Sequence, residues 1–453
     1  MKTNNPELNP SRTSKTPVDL MIQGGTAVTM APGQQPITDA RILIKEDRII
    51  EIGPSAEIPI PQGFPIETVD ARDAIIMPGL VNAHAHTAMT LFRGFADDLP
   101  LKEWLFERIF PAEANFLSPE TVYWGALLGC VEMITSGTTC MADGYFFQDQ
   151  TVRAVHESGL RGLLAQGIID FPAPGVPDPK ENIRIGRDFL EKWHHFSDRI
   201  TPGLFCHSAV TCCEKTLRRS QEISREYGTP LQIHLSETSM EVSEILKAHG
   251  KRPAQYLDQL GLLDSHLIAA HGVHLDKTEL QCFRKKNASI IHVPESNMKL
   301  ASGIAPLEGI TAMGIKTGLG TDGCASNNNL DLFGEMDTAA KLAKVSTGRS
   351  DVAKAYQMLK MATLGGAAAL GLEKETGSLE RGKKADIIVV NLKSPHLCPL
   401  FDPVSALVYS ADGSDVKDVI VDGVVLMKEG VLCALDQDEI MAKVIEISKK
   451  IRL

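Results

Sequence analysis

Short apolar runs alternate with stretches of helical periodicity from about residue 75 onward, and the alternation repeats eight times. The strand-like runs cover 75–83, 138–143, 160–169, 200–206, 230–234, 266–270, 289–293 and 315–319. The intervening stretches carry helix punctuation. Ser118-Pro119-Glu120 reads as an N-cap, a proline at the first helical position and an acid in the first turn. Gly137, Gly159 and Gly228 fall just past helix ends, where a left-handed cap favours glycine. Strands separated by helices pair in parallel, and eight such units close a ring. The expected fold is therefore α/β, a (β/α)8 barrel of the TIM type over residues 75–377.

The two ends of the chain follow another pattern. Residues 19–30 read as a hairpin around Gly24-Gly25, and 40–52 alternate apolar and polar positions. Residues 385–392 form a dense strand, and 416–426 a hairpin turning at Asp422-Gly423. Segments 18–74 and 378–453 are each too small for a core, so they are expected to pair into one small β-sandwich beside the barrel. Residues 1–17 are polar, with Pro and Ser, and are expected to be a flexible lead-in.

Composition narrows the partners. The chain has 453 residues, 43% hydrophobic and 23% charged, which is ordinary for a globular protein. A formal net charge of −11 with no basic patch argues against nucleic acid. No run has the length of a membrane span, and the nine cysteines show no CxxC pair, so reduced thiols in a cytoplasm are expected. The expected setting is a cytoplasmic homo-oligomer acting on a small molecule.

Reactive groups of a barrel gather at the C-terminal ends of its strands. The first strand there runs Asn82-Ala83-His84-Ala85-His86, and residues two apart on a strand share a face. The fifth ends His234-Leu235-Ser236-Glu237, the sixth Ala270-His271-Gly272, and the eighth runs into Gly320-Thr321-Asp322-Gly323. An HxH pair alone is weak evidence. Joined by His234 and Asp322 at other strand ends, it becomes a donor set for zinc with a position open to water. The run Gly318-Leu319-Gly320-Thr321-Asp322-Gly323 also matches GxGxxG, but it comes late and leads into Ser326-Asn327-Asn328-Asn329 rather than directly into a helix. His194-His195 lies in a helical stretch with no partner in view, and His156, His249, His266 and His396 read as structural or solvated.

Further matches carry a resemblance. Pro78 to His86, Trp104-Leu105 with Pro111-Ala112-Glu113, His207-Ser208, His234 to Thr238, Ala270 to His274, Gly320 to Asn328, and Gly377 to Asp386 together resemble the 5-methylthioadenosine/S-adenosylhomocysteine deaminases of the amidohydrolase superfamily. They resemble triazine hydrolases and guanine deaminases more loosely. The resemblance implies hydrolytic deamination of an adenine nucleoside to its inosine derivative and ammonia. It implies His84, His86, His234 and Asp322 as ligands of one zinc per chain, or of ferrous iron or another divalent ion in its place. No lysine ends strand four (Leu204-Phe205-Cys206-His207-Ser208) to bridge a second ion. Asp322 would take a proton from the attacking water, Glu237 would supply one to the ring and then to ammonia, and His271 would orient the attack. Glu113 would hold the ribose hydroxyls and His207 would contact the purine or sugar. Trp104 either covers the adenine or is simply packed. Arg184 and Arg187 are the cations available, between strands three and four, for a homocysteine carboxylate. The alternative on the same scaffold is removal of an amine, chloride or thiomethyl group from another purine, guanine or a triazine.

Overall fold

Eight parallel strands curl into the ring around which the candidate residues are arranged. The structure, a computed structural model, describes residues 18–61 and 65–451. The expected lead-in, 1–17, lies outside the described residues. The ring strands are β1 (Leu80–His86), β2 (Thr138–Tyr145), β3 (Arg161–Ile168), β4 (Ile200–Ser208), β5 (Leu231–Leu235), β6 (Leu267–His271), β7 (Ser289–His292) and β8 (Lys316–Leu319). Each pairs in parallel with the next. Just after β8 the chain breaks at Gly320-Thr321, and a two-residue strand, Asp322–Gly323, pairs in parallel with β1 to close the ring. The barrel expectation therefore holds.

Helices follow the punctuation. The Ser118 hydroxyl accepts the Thr121 N–H at 3.2 Å, and Pro119 opens the helix Pro119–Thr135. Gly159 (φ +85°) and Gly228 (φ +64°) cap the helices that precede them. Between β1 and β2 the chain widens into a π-helical stretch, Trp104–Ile109, and continues as the helix Phe110–Phe116 carrying Glu113. Such widened turns recur at functional sites.

Two strand readings need correction. The run 75–83 is not one strand. Ala74–Pro78 pairs antiparallel with Ile387–Asn391 outside the ring, and the barrel begins at Leu80. Gly79 marks the break, since a Cβ there would lie 2.1 Å from the Thr139 side chain. Nor is Gly24-Gly25 a hairpin turn. Leu20–Gln23 and Thr26–Ala27 belong to different sheets, and the two glycines, with φ +84° and +72°, carry the chain across. A Cβ on Gly25 would lie 2.3 Å from the Ala71 carbonyl oxygen.

Those two sheets interleave the chain ends. The four-stranded one holds Arg48–Pro54, Ala40–Lys45, Leu20–Gln23 and Glu67–Asp70. The seven-stranded one joins Thr26–Ala27, Ile37–Thr38 and Ala74–Pro78 to Ile387–Asn391, the hairpin Val416–Val421 and Val424–Lys428, and Val431–Leu432. Ile22, Ile42, Ile44 and Ile76 from one end share a buried cluster with Ile387, Val389 and Ile420 from the other. A salt-bridge group joins them to the barrel: Arg161, at the start of β3, meets Asp386 at 2.8 Å and Asp422 at 2.9 Å, both through its guanidinium. The helix Gln437–Ser448, unforeseen in a β-rich end, lays Ile440, Val444 and Ile447 against the cluster containing Val122 and Ala126 of the barrel helix. No helix among the described residues is long and apolar enough to cross a membrane.

Candidate active site

Period-two geometry on β1 brings His84 and His86 to one face, and ring closure supplies the carboxylate between them. Asp322 sits opposite Ala85, with φ +63° turning its side chain inward. Its Oδ1 lies 3.5 Å from His84 Nε2 and 3.2 Å from His86 Nε2. The Nε2 atoms of His86 and His234 are 3.2 Å apart. One ligand atom from each of His84, His86, His234 and Asp322 falls within 4.8 Å of all the others.

Chemistry of the donor set fits a borderline divalent ion. His84 Nε2 is buried with no hydrogen-bond partner, an orphan that a cation would satisfy. Burial lowers the His84 imidazole to about 4, the neutral form a metal requires. His86 donates from Nδ1 to the Gly144 carbonyl at 2.6 Å, which turns Nε2 toward Asp322 Oδ1 and the centre of the group. Ser296 and Ser326 donate to Asp322 Oδ2 at 2.7 and 2.9 Å, which leaves Oδ1 facing the centre. Burial alone would raise Asp322, but the His84 and His86 imidazoles hold it well below the usual carboxylate range.

Glu237 and His271 stand on the open side of this group. Glu237 Oε2 is 3.8 Å from His271 Nε2, and Glu237 Oε1 accepts the Ser302 hydroxyl at 3.0 Å. His271 Nδ1 lies 2.8 Å from Asn297 Oδ1. Burial would depress His271, but the Glu237 and Asp322 carboxylates outweigh it and raise the imidazole above its ordinary value.

A cavity opens onto these groups and is also lined by Trp104, Glu113, Tyr145, Phe205 and His207. Glu113 is buried, and its Oε1 accepts the Tyr145 hydroxyl at 2.5 Å. Burial pushes the Glu113 carboxyl up to about 7, against the opposing effects of Tyr145 and His86. His207 sits on an irregularity in β4, between Cys206 and Ser208, with Nδ1 2.9 Å from the Thr211 hydroxyl. Trp104 Nε1 is buried and unpartnered. Seven of the eight candidate residues line one chamber, and His84 joins them through the ligand group. Arg184 and Arg187 do not: Arg184 pairs with Glu181 and Asp188, and Arg187 with Glu226, on the outer face of the barrel. Tyr145, Ser296, Asn297 and Ser302 were not singled out in the sequence. Only Tyr145 had a usable signal, two residues past the expected end of the second strand.

Known proteins share this arrangement of chain. The Amidohydrolase family matches residues 75–426. A 5-methylthioadenosine/S-adenosylhomocysteine deaminase of Syntrophobacter fumaroxidans is 42% identical over 96% of this chain and 98% of its own. A 5'-deoxyadenosine deaminase of Methanosarcina mazei is 45% identical over 95% of this chain and 97% of its own. The crystal structure of an adenosine deaminase from Xanthomonas campestris with bound zinc superposes with a TM-score of 0.93 at 36% identity, covering 96% of this chain and 99% of that one. With its parallel ring, its three histidines and aspartate at the strand ends, and relatives matched along nearly their whole length, the chain belongs to the amidohydrolase family.

Proposed function

We propose that this chain hydrolytically deaminates adenine nucleosides carrying a small uncharged 5′ substituent, 5′-methylthioadenosine foremost, to the inosine derivative and ammonia. One observation carries the reading: Glu113, a buried acceptor suited to sugar hydroxyls, shares one chamber with Glu237, His271 and Asp322. The names of the Syntrophobacter and Methanosarcina relatives support the nucleoside class. His84, His86, His234 and Asp322 would hold about one zinc ion per chain. When bound, a zinc ion lowers the pKa of its water to about 7.

The chain's own groups then divide the proton work. Asp322 receives the proton of the attacking water at Oδ1, while Ser296 and Ser326 keep Oδ2 occupied. Glu237 gives a proton to the ring nitrogen beside the amino-bearing carbon, takes the proton of the newly added hydroxyl and passes it to the departing ammonia; the proton received by Asp322 then returns to Glu237. His271, held by Asn297, presents Nε2 to the attacking oxygen. Glu113 accepts from the ribose, and His207 meets the purine or sugar.

Substrate preference follows from charge. No lysine or arginine among the described residues lines the chamber, so a homocysteine carboxylate would lose solvation without gaining an ion pair. We expect kcat/KM for methylthioadenosine at least equal to that for S-adenosylhomocysteine, and free adenine to be turned over very poorly. Following loss of adenine absorbance for all three decides it. Strong preference for S-adenosylhomocysteine would overturn the uncharged-substituent reading, and efficient turnover of free adenine would remove Glu113 from ribose recognition.

A further inference from the structure

Glu237 reaches the chamber from a turn, not from a regular element. β5 ends at Leu235, Ser236 stands in the left-handed region at φ +51°, and the helix Ser239–His249 starts behind Thr238. The Thr238 hydroxyl accepts the Glu241 N–H at 3.1 Å. An acid at this third helical position ordinarily returns to the backbone N–H of the cap residue itself. Glu241 instead reaches past the cap. Its Oε1 accepts the Ser236 N–H at 2.8 Å and its Oε2 the Glu237 N–H at 2.8 Å. Both oxygens of one carboxylate are thereby committed to the two peptides that aim Glu237, and Glu241 does not itself line the chamber.

We propose that Glu241 is a positioning residue of the reaction, whose carboxylate fixes the Ser236-Glu237 backbone so that Glu237 presents Oε2 to the reacting centre. The inference rests on Glu237 being the proton carrier. Hydrogen bonds from backbone N–H groups to a carboxylate are charge-assisted and stronger than neutral ones. They hold a residue whose left-handed backbone would otherwise cost about 1–3 kcal/mol. Released from them, Glu237 would keep its carboxyl group but lose its aim. A displacement of about 1 Å in a catalytic group can lower the rate about 10²-fold.

A double-mutant cycle on the full-length, metal-loaded protein tests this, with methylthioadenosine as substrate. Assays at about pH 8 keep Glu241 charged, because burial pushes its carboxyl up to about 7. Glu241→Gln retains the shape but sets an amide donor against one of the two N–H groups. It should lower kcat by about 10- to 100-fold while KM changes by less than about threefold. Glu241→Asp, one methylene shorter, should recover part of that loss. In a Glu237→Gln background, adding Glu241→Gln should change kcat by less than about threefold, because the effect passes through a group already removed. Wild-type kcat in Glu241→Gln, an effect confined to KM, or full additivity with Glu237→Gln would each overturn the positioning role. Undiminished turnover in Glu237→Gln alone would remove the proton-carrier reading and this role with it. A large loss there combined with additivity would remove Glu241 only.

Discussion

His271 (φ +73°) and Asp322 (φ +63°) share with Ser236 a left-handed backbone that costs an L-residue about 1–3 kcal/mol. Each occupies or follows a strand end at the chamber, and each conformation turns a side chain or peptide across the ring mouth. Strain of this kind persists only where neighbours fix it, here through Asn297, the two serines and Glu241. Glu113 carries a different tension, a carboxyl raised to about 7 by burial. In the role proposed for it the charged form accepts from the sugar hydroxyls, and for that role the sign is fixed: affinity is present above about pH 7 and lost as pH falls through it. KM for methylthioadenosine should therefore rise below about pH 7, beyond any change in kcat. Glu113→Gln should show a high KM that no longer varies with pH over that span. A pH-independent KM in the unmodified protein would mean Glu113 stays charged throughout.

Among elements, what the chain revealed depended on whether the information was local. Asn82 to His86 announced their common face because strand periodicity is a property of adjacent residues. Ser118-Pro119, Gly159 and Gly228 marked helix ends for the same reason. The run from Ile75 to Ala83 concealed a break because both halves are apolar, one facing the terminal sheets and the other the barrel. Only Gly79, which permits the close approach to Thr139, separates them. Gly24-Gly25 fits a hairpin turn equally well, and the choice was made by distant partners, Arg41 to Ile44 on one side and Ile75-Ile76 on the other. Supporting groups were the least legible. Ser296 and Ser326 reach Asp322 from separate segments, and neither has a spacing that announces it. The His and Asp donors stood out because their chemistry is rare; the hydroxyls that aim them are common.

Across the whole molecule, Arg161 links the floor of the barrel to the closing segment of the chain. Its guanidinium engages Asp386, which is fully buried, and Asp422, which also meets Lys384 at 3.0 Å. Arg161→Ala would leave the Asp386 charge buried without its partner, a loss of about 3–5 kcal/mol in such pairs. Denaturant unfolding should register it, while KM for substrate stays unchanged in the folded fraction; a stability change below about 1 kcal/mol would show the group to be dispensable. The ring carries one further consequence. Its last hydrogen bonds are made by Asp322 and Gly323 against β1, so the residue that completes the barrel is also a donor at its centre. Occupancy of that centre and integrity of the wall are then thermodynamically linked, since an ion that binds only the closed ring stabilises it by mass action. Removing the ion with a chelator should accelerate amide hydrogen exchange at residues 320–328 and 84–87 more than at β3 or β4, and restoring about one equivalent should reverse it. The barrel would behave as a clasp fastened by its own cargo, with its weakest joint at the point where the reaction takes place.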